Sequence, residues 1–260
     1  MSLLNQVTTQ REIDPNVAMP PVRMNIQGTD GIGKSTFGAH APNPIFIQAE
    51  DGLSFIDAAR FPQADTWSEI LEQLKSLAEE QHSYKTVVLD TTDAAAKLGE
   101  AHVCEKNGWS SAADPKAGYG AFYVAEENAW LNLLNGLNFC FRNRGMNVIL
   151  LSHVASKSYK DPELEPYDRW EMRCNKKVNA LIKDWVDFNL FANYETTLIK
   201  DGSKNRGVSY GNRGLFTKFA AAYDAKSRLD LPSKVEFSWQ AFESAYGTAL
   251  GLPSTNNEAA

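Results

Sequence analysis

Short runs of apolar residues recur along this chain, separated by longer amphipathic stretches. Runs of four to eight residues with adjacent or alternating apolar side chains predict β-strands that lie in a buried sheet. Four of them are clear: VRMNIQ (22–27), NPIFIQAE (43–50), YKTVVLD (84–90) and MNVILLSH (146–153). We therefore expect a central sheet built from strands that are distant in sequence.

Between these runs the apolar residues follow a helical period. A helix is predicted over TWSEILEQLKSLAEEQ (66–81), where one face carries Trp67, Ile70, Leu71, Leu74 and Leu77. A second is predicted over AWLNLLNGLNFCFRNRG (129–145), with Gly145 as its stop signal, and a third begins near Lys34. Strands that alternate with helices predict a mostly parallel central sheet flanked by helices.

The last third of the chain has a different pattern. Between residues 188 and 239, strand-like runs are broken by glycine-containing turns, which predicts antiparallel hairpin strands added to the parallel sheet. The predicted fold class is therefore α/β. We divide the chain into an N-terminal extension (1–20), a core domain (21–247) and a flexible C-terminal tail (248–260).

Composition limits the class of protein. The 260 residues, 43% of them hydrophobic and 22% charged, suffice for one main globular domain. A net charge of −6 argues against a uniformly basic nucleic-acid coat but leaves room for a local basic groove. The chain has no apolar run long enough to cross a bilayer, so we expect a soluble cytoplasmic protein without a membrane partner. Three widely spaced cysteines are interpreted as reduced thiols without metal: Cys104, Cys140 and Cys174.

A glycine-rich segment, GTDGIGKST, directly follows the first predicted strand. Its spacing is that of a nucleoside-triphosphate loop, G-x-x-x-x-G-K-[ST], which cradles phosphates with backbone N–H groups. Lys34 would reach the β- and γ-phosphates, and the Ser35 hydroxyl would bind Mg²⁺. The alternative is an ordinary glycine-rich turn with a solvated lysine. We predict binding of ATP or GTP with Mg²⁺ by Gly28, Thr29, Asp30, Gly31, Ile32, Gly33, Lys34, Ser35 and Thr36.

Polar residues end three other predicted strands, and each has a structural alternative. Asp90 could hold Mg²⁺ opposite Ser35, or it could cap a helix, since all of DTTD (90–93) caps well. Glu50 could activate the water that attacks the γ-phosphate, or lie on the surface. His153 could sense the γ-phosphate, or be a satisfied histidine at the edge of the core.

The order of GTDGIGKST, FIQAEDGL, TVVLDTTDAA and NVILLSHV resembles the RecA-type recombinase core. With EPYDRW, DFNLFANYET and YDAKSRLDLP, the chain is similar over about residues 20–245 to small bacteriophage ATPases of this type, some of them Sak-type single-strand-annealing proteins. The resemblance implies a RecA-like ATPase core and, for a phage protein, the cytoplasm of the bacterial host.

The resemblance also implies roles for individual residues. Glu50 would be the catalytic glutamate and Asp90 the magnesium-site aspartate, while His153 would stand where RecA has a glutamine sensor. Lys226 and Arg228, in AKSR, resemble the basic K-x-R finger that related ATPases insert into a neighbouring subunit. Hydrolysis would then require a homo-oligomer, as a ring or a filament; the alternative is a pair of solvated loop charges.

A DNA contact would fall in the loop predicted after His153. This segment mixes cations with aromatic side chains, which suits single-stranded nucleic acid, although it is nearly neutral in charge and a solvated lid is an equal alternative. The candidate DNA-binding residues are Lys157, Tyr159, Lys160, Arg169, Trp170 and Arg173.

The function so implied is ATP-dependent binding of single-stranded DNA in phage recombination, by annealing or strand exchange, with a single-strand-binding protein as a further partner. Two alternatives remain: a P-loop kinase for a small molecule, and a nucleotide-dependent switch or scaffold that does not bind DNA. A GTPase is disfavoured, because TTD after Asp90 lacks the expected glycine and NKKV lacks an aspartate to read guanine.

Overall fold

The computed structural model describes residues 19–118, 120–201 and 204–252. Most of the predicted N-terminal extension and residues 253–260 of the predicted tail lie outside these ranges. The elements are, in chain order, β1 (Arg23–Gly28), α1 (Lys34–Ala39), β2 (Pro44–Gln48), β3 (Ala59–Arg60), α2 (Trp67–Glu79), β4 (Thr86–Asp90), α3 (Thr92–Asn107), α4 (Ala121–Asn143), β5 (Asn147–Tyr159), β6 (Tyr167–Met172), α5 (Lys176–Trp185), β7 (Phe188–Asp201), β8 (Lys204–Phe216), β9 (Lys226–Ser227), β10 (Lys234–Glu236) and α6 (Trp239–Ala249).

The strands form a sheet in the order β10-β8-β7-β1-β5-β4-β2-β3, with β6 paired to β5 and β9 to β7. The six strands from β7 to β3 run parallel, whereas β8, β10, β6 and β9 pair antiparallel to their neighbours. The predicted α/β class is therefore confirmed, including the antiparallel strands near the C-terminus. None of the helices in the described ranges has the length and apolar character that a bilayer span requires.

Both faces of the parallel strands are covered. Along β2, Ile45 and Ile47 belong to one buried cluster and Phe46 to the other, and β4 alternates in the same way. Helices α2, α3, α4 and α5 contribute to the first cluster, and α1 and α6 to the second. This double coverage explains the uninterrupted apolar runs in the sequence, because every residue of such a strand faces a core.

Two helices differ in extent from the sequence prediction. The second predicted helix begins earlier, since α4 starts at Ala121, and its first two turns bury only Phe122 and Glu126, so the apolar period there is weak. At the C-terminus, α6 continues to Ala249, and the predicted core boundary at residue 247 falls inside it.

The segment after His153 is not a loop, and that prediction was wrong. Strand β5 continues to Tyr159 and pairs with β6 from Val154 opposite Met172 to Tyr159 opposite Tyr167. We call this unit the β5–β6 hairpin. Its strands carry few apolar side chains, so the pattern that revealed the buried strands was missing. Helix α5 follows it, capped by Asn175, whose side-chain oxygen accepts hydrogen bonds from two backbone N–H groups of the first turn.

Candidate functional site

The parallel register brings the predicted site residues to one edge of the sheet. Gly28 at the end of β1 lies opposite His153, and Asp90 at the end of β4 lies opposite Gln48, two residues before Glu50. Because parallel strands all end at the same edge, residues far apart in sequence become neighbours there. The phosphate loop begins at this edge, directly after β1.

The phosphate loop curls around the side chain of Lys34. Gly31 and Gly33 have φ angles of 72° and 104°, a backbone region that glycine adopts without strain. The Lys34 ammonium is buried and donates hydrogen bonds to the carbonyls of Gly28 (3.2 Å) and Thr29 (3.0 Å). Burial lowers the pKa of Lys34, an effect that the nearby carboxylates oppose. A buried ammonium beneath a glycine loop fits a polyphosphate.

Ser35 and Asp90 form the second part of the site. The Ser35 hydroxyl donates a hydrogen bond to the Asp90 carboxylate at 2.6 Å. Burial raises the pKa of Asp90, while the hydrogen bond from Ser35 lowers it. The alternative role of Asp90 as a helix cap does not hold, because Thr91 is the N-cap of α3. A hydroxyl and a carboxylate are oxygen ligands of the kind that Mg²⁺ prefers.

Glu50 is tethered at the border of the site. Its carboxylate accepts a hydrogen bond from the Thr91 hydroxyl at 3.1 Å, and 38% of its side chain is exposed. The same carboxylate lies 3.9 Å from Nδ1 of His153. Glu50 is therefore oriented toward the end of β4 and still accessible to water.

His153 lies between two aspartates. Its Nε2 is 3.1 Å from Asp30 of the phosphate loop, and its Nδ1 is 3.1 Å from Asp93 at the start of α3. The His153 backbone N–H also donates to Asp93 at 3.0 Å. The ligand atoms of Glu50, Asp93 and His153 lie within 4.8 Å of one another, close enough to share a metal ion. The histidine is thus fixed beside the phosphate loop.

Asp93 is a site residue that the sequence offered only as a helix cap. Burial alone would raise its pKa, but the hydrogen bonds and the charge of His153 outweigh burial and hold the pKa at about 2. The carboxylate is therefore ionised at neutral pH. Its place three residues after Asp90 is visible in the sequence, but its partner His153 is not.

We expect Asp93→Asn to lower the free energy of unfolding at pH 7 by about 2 kcal/mol. The contribution of Asp93 is present above its ordinary pKa of 3.8 and is lost as the pH falls through about 2. The difference between the two proteins should therefore shrink to about half by pH 3. Urea unfolding at both pH values measures it, with the exposed Asp51→Asn as control. A difference independent of pH would show that the ionised carboxylate is not its source.

Arg213 is the second site residue that the sequence analysis did not identify, and no local pattern in the sequence indicates it. It lies on β8, and its guanidinium donates a hydrogen bond to the Ile32 carbonyl at 2.9 Å, inside the phosphate loop. A Cβ atom on Gly33 would approach this guanidinium to 2.5 Å, so the glycine is needed for the contact as well as for its φ angle. Strand β8 thus contacts the phosphate loop through Arg213 and stabilises it.

The candidate DNA-binding residues are divided between two places. Arg173 forms an ion pair with Asp30, so it lies at the phosphate loop. Arg169 is 7% exposed, lies over the rings of Tyr159 (4.8 Å) and Phe219 (5.0 Å), and faces an aspartate. A buried guanidinium cannot reach a DNA phosphate, so we correct the prediction for Arg169 and assign it the role of holding the β5–β6 hairpin in place.

The other candidates remain on the β5–β6 hairpin. Lys160 is exposed just after β5, and Lys157 is half-buried, with its ammonium donating to the Met172 carbonyl at 3.2 Å. Trp170 is half-buried on β6 and Tyr159 is half-buried on β5. Their contact with DNA stays a prediction.

Lys226 and Arg228 lie at the opposite end of the sheet from the phosphate loop. Lys226 pairs with Asn189 near the start of β7, and Arg228 lies 3.4 Å from Asp187, the residue before that strand. Burial and the charge of Arg228 lower the pKa of Lys226. These side chains are too distant to reach the site of their own chain, so a finger role would require a neighbouring copy.

Comparison with known proteins gives one family and one relative in sequence. Residues 20–229 match the family described as an AAA domain. The SPbeta prophage-derived uncharacterized protein YorG of Bacillus subtilis (strain 168) is 28% identical over 174 residues, which are 65% of this chain and 49% of that protein. The chain therefore spans about half the length of this relative.

Two solved structures are similar in fold. The RadB recombinase has a TM-score of 0.46 at 12% identity, with 85% of this chain and 90% of that chain covered. The flagellar accessory protein FlaH from Methanocaldococcus jannaschii has a TM-score of 0.41 at 10% identity, covering 85% and 87%. Because the family match extends over most of the chain and includes the phosphate loop, this protein belongs to the AAA-domain family and is a P-loop NTPase.

Proposed function

We propose that this protein binds and hydrolyses Mg-ATP and couples this reaction to single-stranded DNA during phage recombination, by annealing or strand exchange. The observation that carries the ATPase part is the convergence of Lys34, the Ser35–Asp90 pair and Glu50 at one edge of the sheet. A phage role is supported by the prophage origin of the relative YorG.

The residues have distinct tasks in this mechanism. Lys34 binds the β- and γ-phosphates, and Ser35 with Asp90 would hold a Mg²⁺ ion, which would supply positive charge to neutralise the phosphates. Glu50, oriented by Thr91, accepts a proton from the attacking water. His153 is placed to contact the γ-phosphate because it already lies against the loop.

A basic cleft supports the DNA part of the proposal. It has a volume of about 730 Å³ and lies between the β5–β6 hairpin and α5. Two predicted DNA-binding residues of the hairpin, Lys157 and Lys160, line one side, and Lys176 and Lys183 of α5 line the other. Tyr159 adds an aromatic ring, while Glu171, Asp184 and the ion pair of Lys183 with Asp224 only partly offset the lysines. Lysines and an aromatic ring in a groove suit a single strand.

We therefore expect reversal of charge in this cleft to weaken DNA binding. The double variant Lys160→Glu/Lys176→Glu, at two exposed positions, should bind a labelled oligonucleotide at least about tenfold more weakly at 0.1 M salt, with a smaller salt dependence. Fluorescence anisotropy with a non-hydrolysable ATP analogue measures this. The matched control is Lys75→Glu/Lys97→Glu, which changes the net charge equally on exposed positions of α2 and α3. Equal losses of DNA affinity in both double variants would argue against the cleft as the DNA-binding site.

A homo-oligomer is part of the same proposal. Lys226 and Arg228 lie far from the phosphate loop of their own chain, so a finger role is only possible in trans. In a ring or filament they would stabilise charge on the phosphates bound by the neighbouring copy. A single-strand-binding protein is a further proposed partner, which would present the DNA.

A further inference from the structure

Asp30 is an acidic residue within the phosphate loop itself, four residues before Lys34. Its side chain is 63% exposed, and two cationic or protonatable groups contact it: Arg173 through an ion pair, and Nε2 of His153 at 3.1 Å. Both partners belong to the base of the β5–β6 hairpin, where the Arg173 backbone N–H donates to the His153 carbonyl at 3.0 Å. The loop and the hairpin are thus joined by one carboxylate.

The charge of Asp30 is unfavourable for a loop that binds a triphosphate. Two anionic groups near each other repel, even though water reduces the repulsion at an exposed side chain. The hydrogen bond from Arg173 and the charges of His153 and Arg173 keep the pKa of Asp30 below its usual value, against the opposing effect of burial, so the carboxylate stays ionised. A γ-phosphate near the loop would therefore compete with Asp30 for the same cations.

We propose that Arg173 is a γ-phosphate ligand within its own chain, held beside the loop by Asp30 until ATP binds. The guanidinium leaves the Asp30 carboxylate and pairs with the γ-phosphate, which offers more negative charge and more acceptor oxygens. Because 41% of its side chain is exposed, Arg173 can move without repacking the core. This assignment rests on the ATP site proposed above.

The exchange has a consequence for the β5–β6 hairpin. Arg173 follows the last residue of β6 and is bonded through its backbone to His153 on β5, so the pairing between the two strands begins at this point. Departure of Arg173 removes one of the two contacts between Asp30 and the base of the hairpin, and the contact of His153 remains. The nucleotide state is thereby linked to the position of the basic cleft. ADP lacks the γ-phosphate and leaves the contact between Asp30 and Arg173 in place.

The test compares the affinities of two variants for two nucleotides by isothermal titration calorimetry. Arg173→Ala should bind the non-hydrolysable analogue AMP-PNP about tenfold more weakly and ADP nearly unchanged. Asp30→Asn should bind AMP-PNP about three- to tenfold more tightly, because it removes the like charge and frees Arg173. The control is Lys177→Ala, which removes a neighbouring exposed cation paired with Glu127, away from the loop.

The two variants should change the affinity for AMP-PNP in opposite directions, which distinguishes this exchange from a salt bridge that only stabilises the conformation of the loop. A structural salt bridge would make both variants lose affinity, and lose it equally for ADP. Either that result or unchanged affinities in both variants would overturn the proposal. If the unaltered protein bound neither nucleotide, both the proposed ATP site and the proposed exchange would be wrong. If the unaltered protein binds both nucleotides and only the variants behave differently from expectation, the exchange alone is wrong.

Discussion

Glu50→Gln is expected to lower the rate of ATP hydrolysis by about 10²- to 10⁴-fold while nucleotide affinity stays nearly unchanged. Glutamine keeps the shape of the side chain and can still accept the hydrogen bond that the Thr91 hydroxyl now donates at 3.1 Å. It cannot accept a proton from the attacking water. The loss should therefore appear in kcat, because the carboxylate acts on the reacting water and not on the bound phosphates.

Single-turnover hydrolysis and nucleotide affinity, measured on the same preparations, separate these effects. The matched control is Asp51→Asn, which removes the neighbouring acidic side chain on the same loop, an exposed one. A Glu50→Gln protein that hydrolyses ATP at the normal rate would remove Glu50 from the mechanism. The activating base would then have to be sought among the other carboxylates of the site, Asp93 first.

Lys34→Ala is expected to produce the second large effect, a loss of about 10²- to 10³-fold in kcat together with weaker nucleotide binding. The ammonium is buried beneath the loop and bonded to two of its carbonyls, so it already occupies the position from which it can meet the phosphates. Removing it also takes away a positive charge near the carboxylates of Asp90 and Glu50. Both changes weaken the binding of a polyanion.

Lys34→Arg tests the geometry of this contact. A planar guanidinium cannot replace a compact ammonium in a closed pocket, so arginine should restore little activity. The remote control Lys75→Ala, on exposed helix α2, should behave as the unaltered protein. Normal nucleotide affinity in Lys34→Ala would show that the glycine loop does not bind phosphate through this lysine.

The fold was largely predictable because its strongest signals are local. Each buried strand is a short continuous apolar run, and the phosphate loop lies within nine consecutive residues that contact one another. Asp90 ends β4 and Glu50 lies two residues after the end of β2, so the parallel arrangement alone brings them together. The β5–β6 hairpin was missed because its strands lack the apolar signal: Arg169 of β6, for example, contacts Phe219 and Asp224 of a distant segment.

The contacts that sequence reasoning missed are ones that no local pattern encodes. Arg213 reaches the Ile32 carbonyl from a position 181 residues away, and Arg173 reaches Asp30 from 143 residues away. Asp93 was visible, but a carboxylate at the start of a helix serves equally well as a cap, and only the position of His153 on the adjacent strand shows what it binds. A charged residue that could serve in several roles can be assigned to one of them only when its neighbours in the fold are known.

The measurement that bears most directly on the proposed function is steady-state ATP hydrolysis with and without single-stranded DNA, with Lys34→Ala as the blank. We predict Mg²⁺-dependent hydrolysis that DNA stimulates, and a loss of that stimulation in Lys160→Glu/Lys176→Glu. Hydrolysis indifferent to DNA, together with DNA binding indifferent to ATP in the same samples, would contradict the recombination role and direct the search to a phosphoryl acceptor or a protein partner.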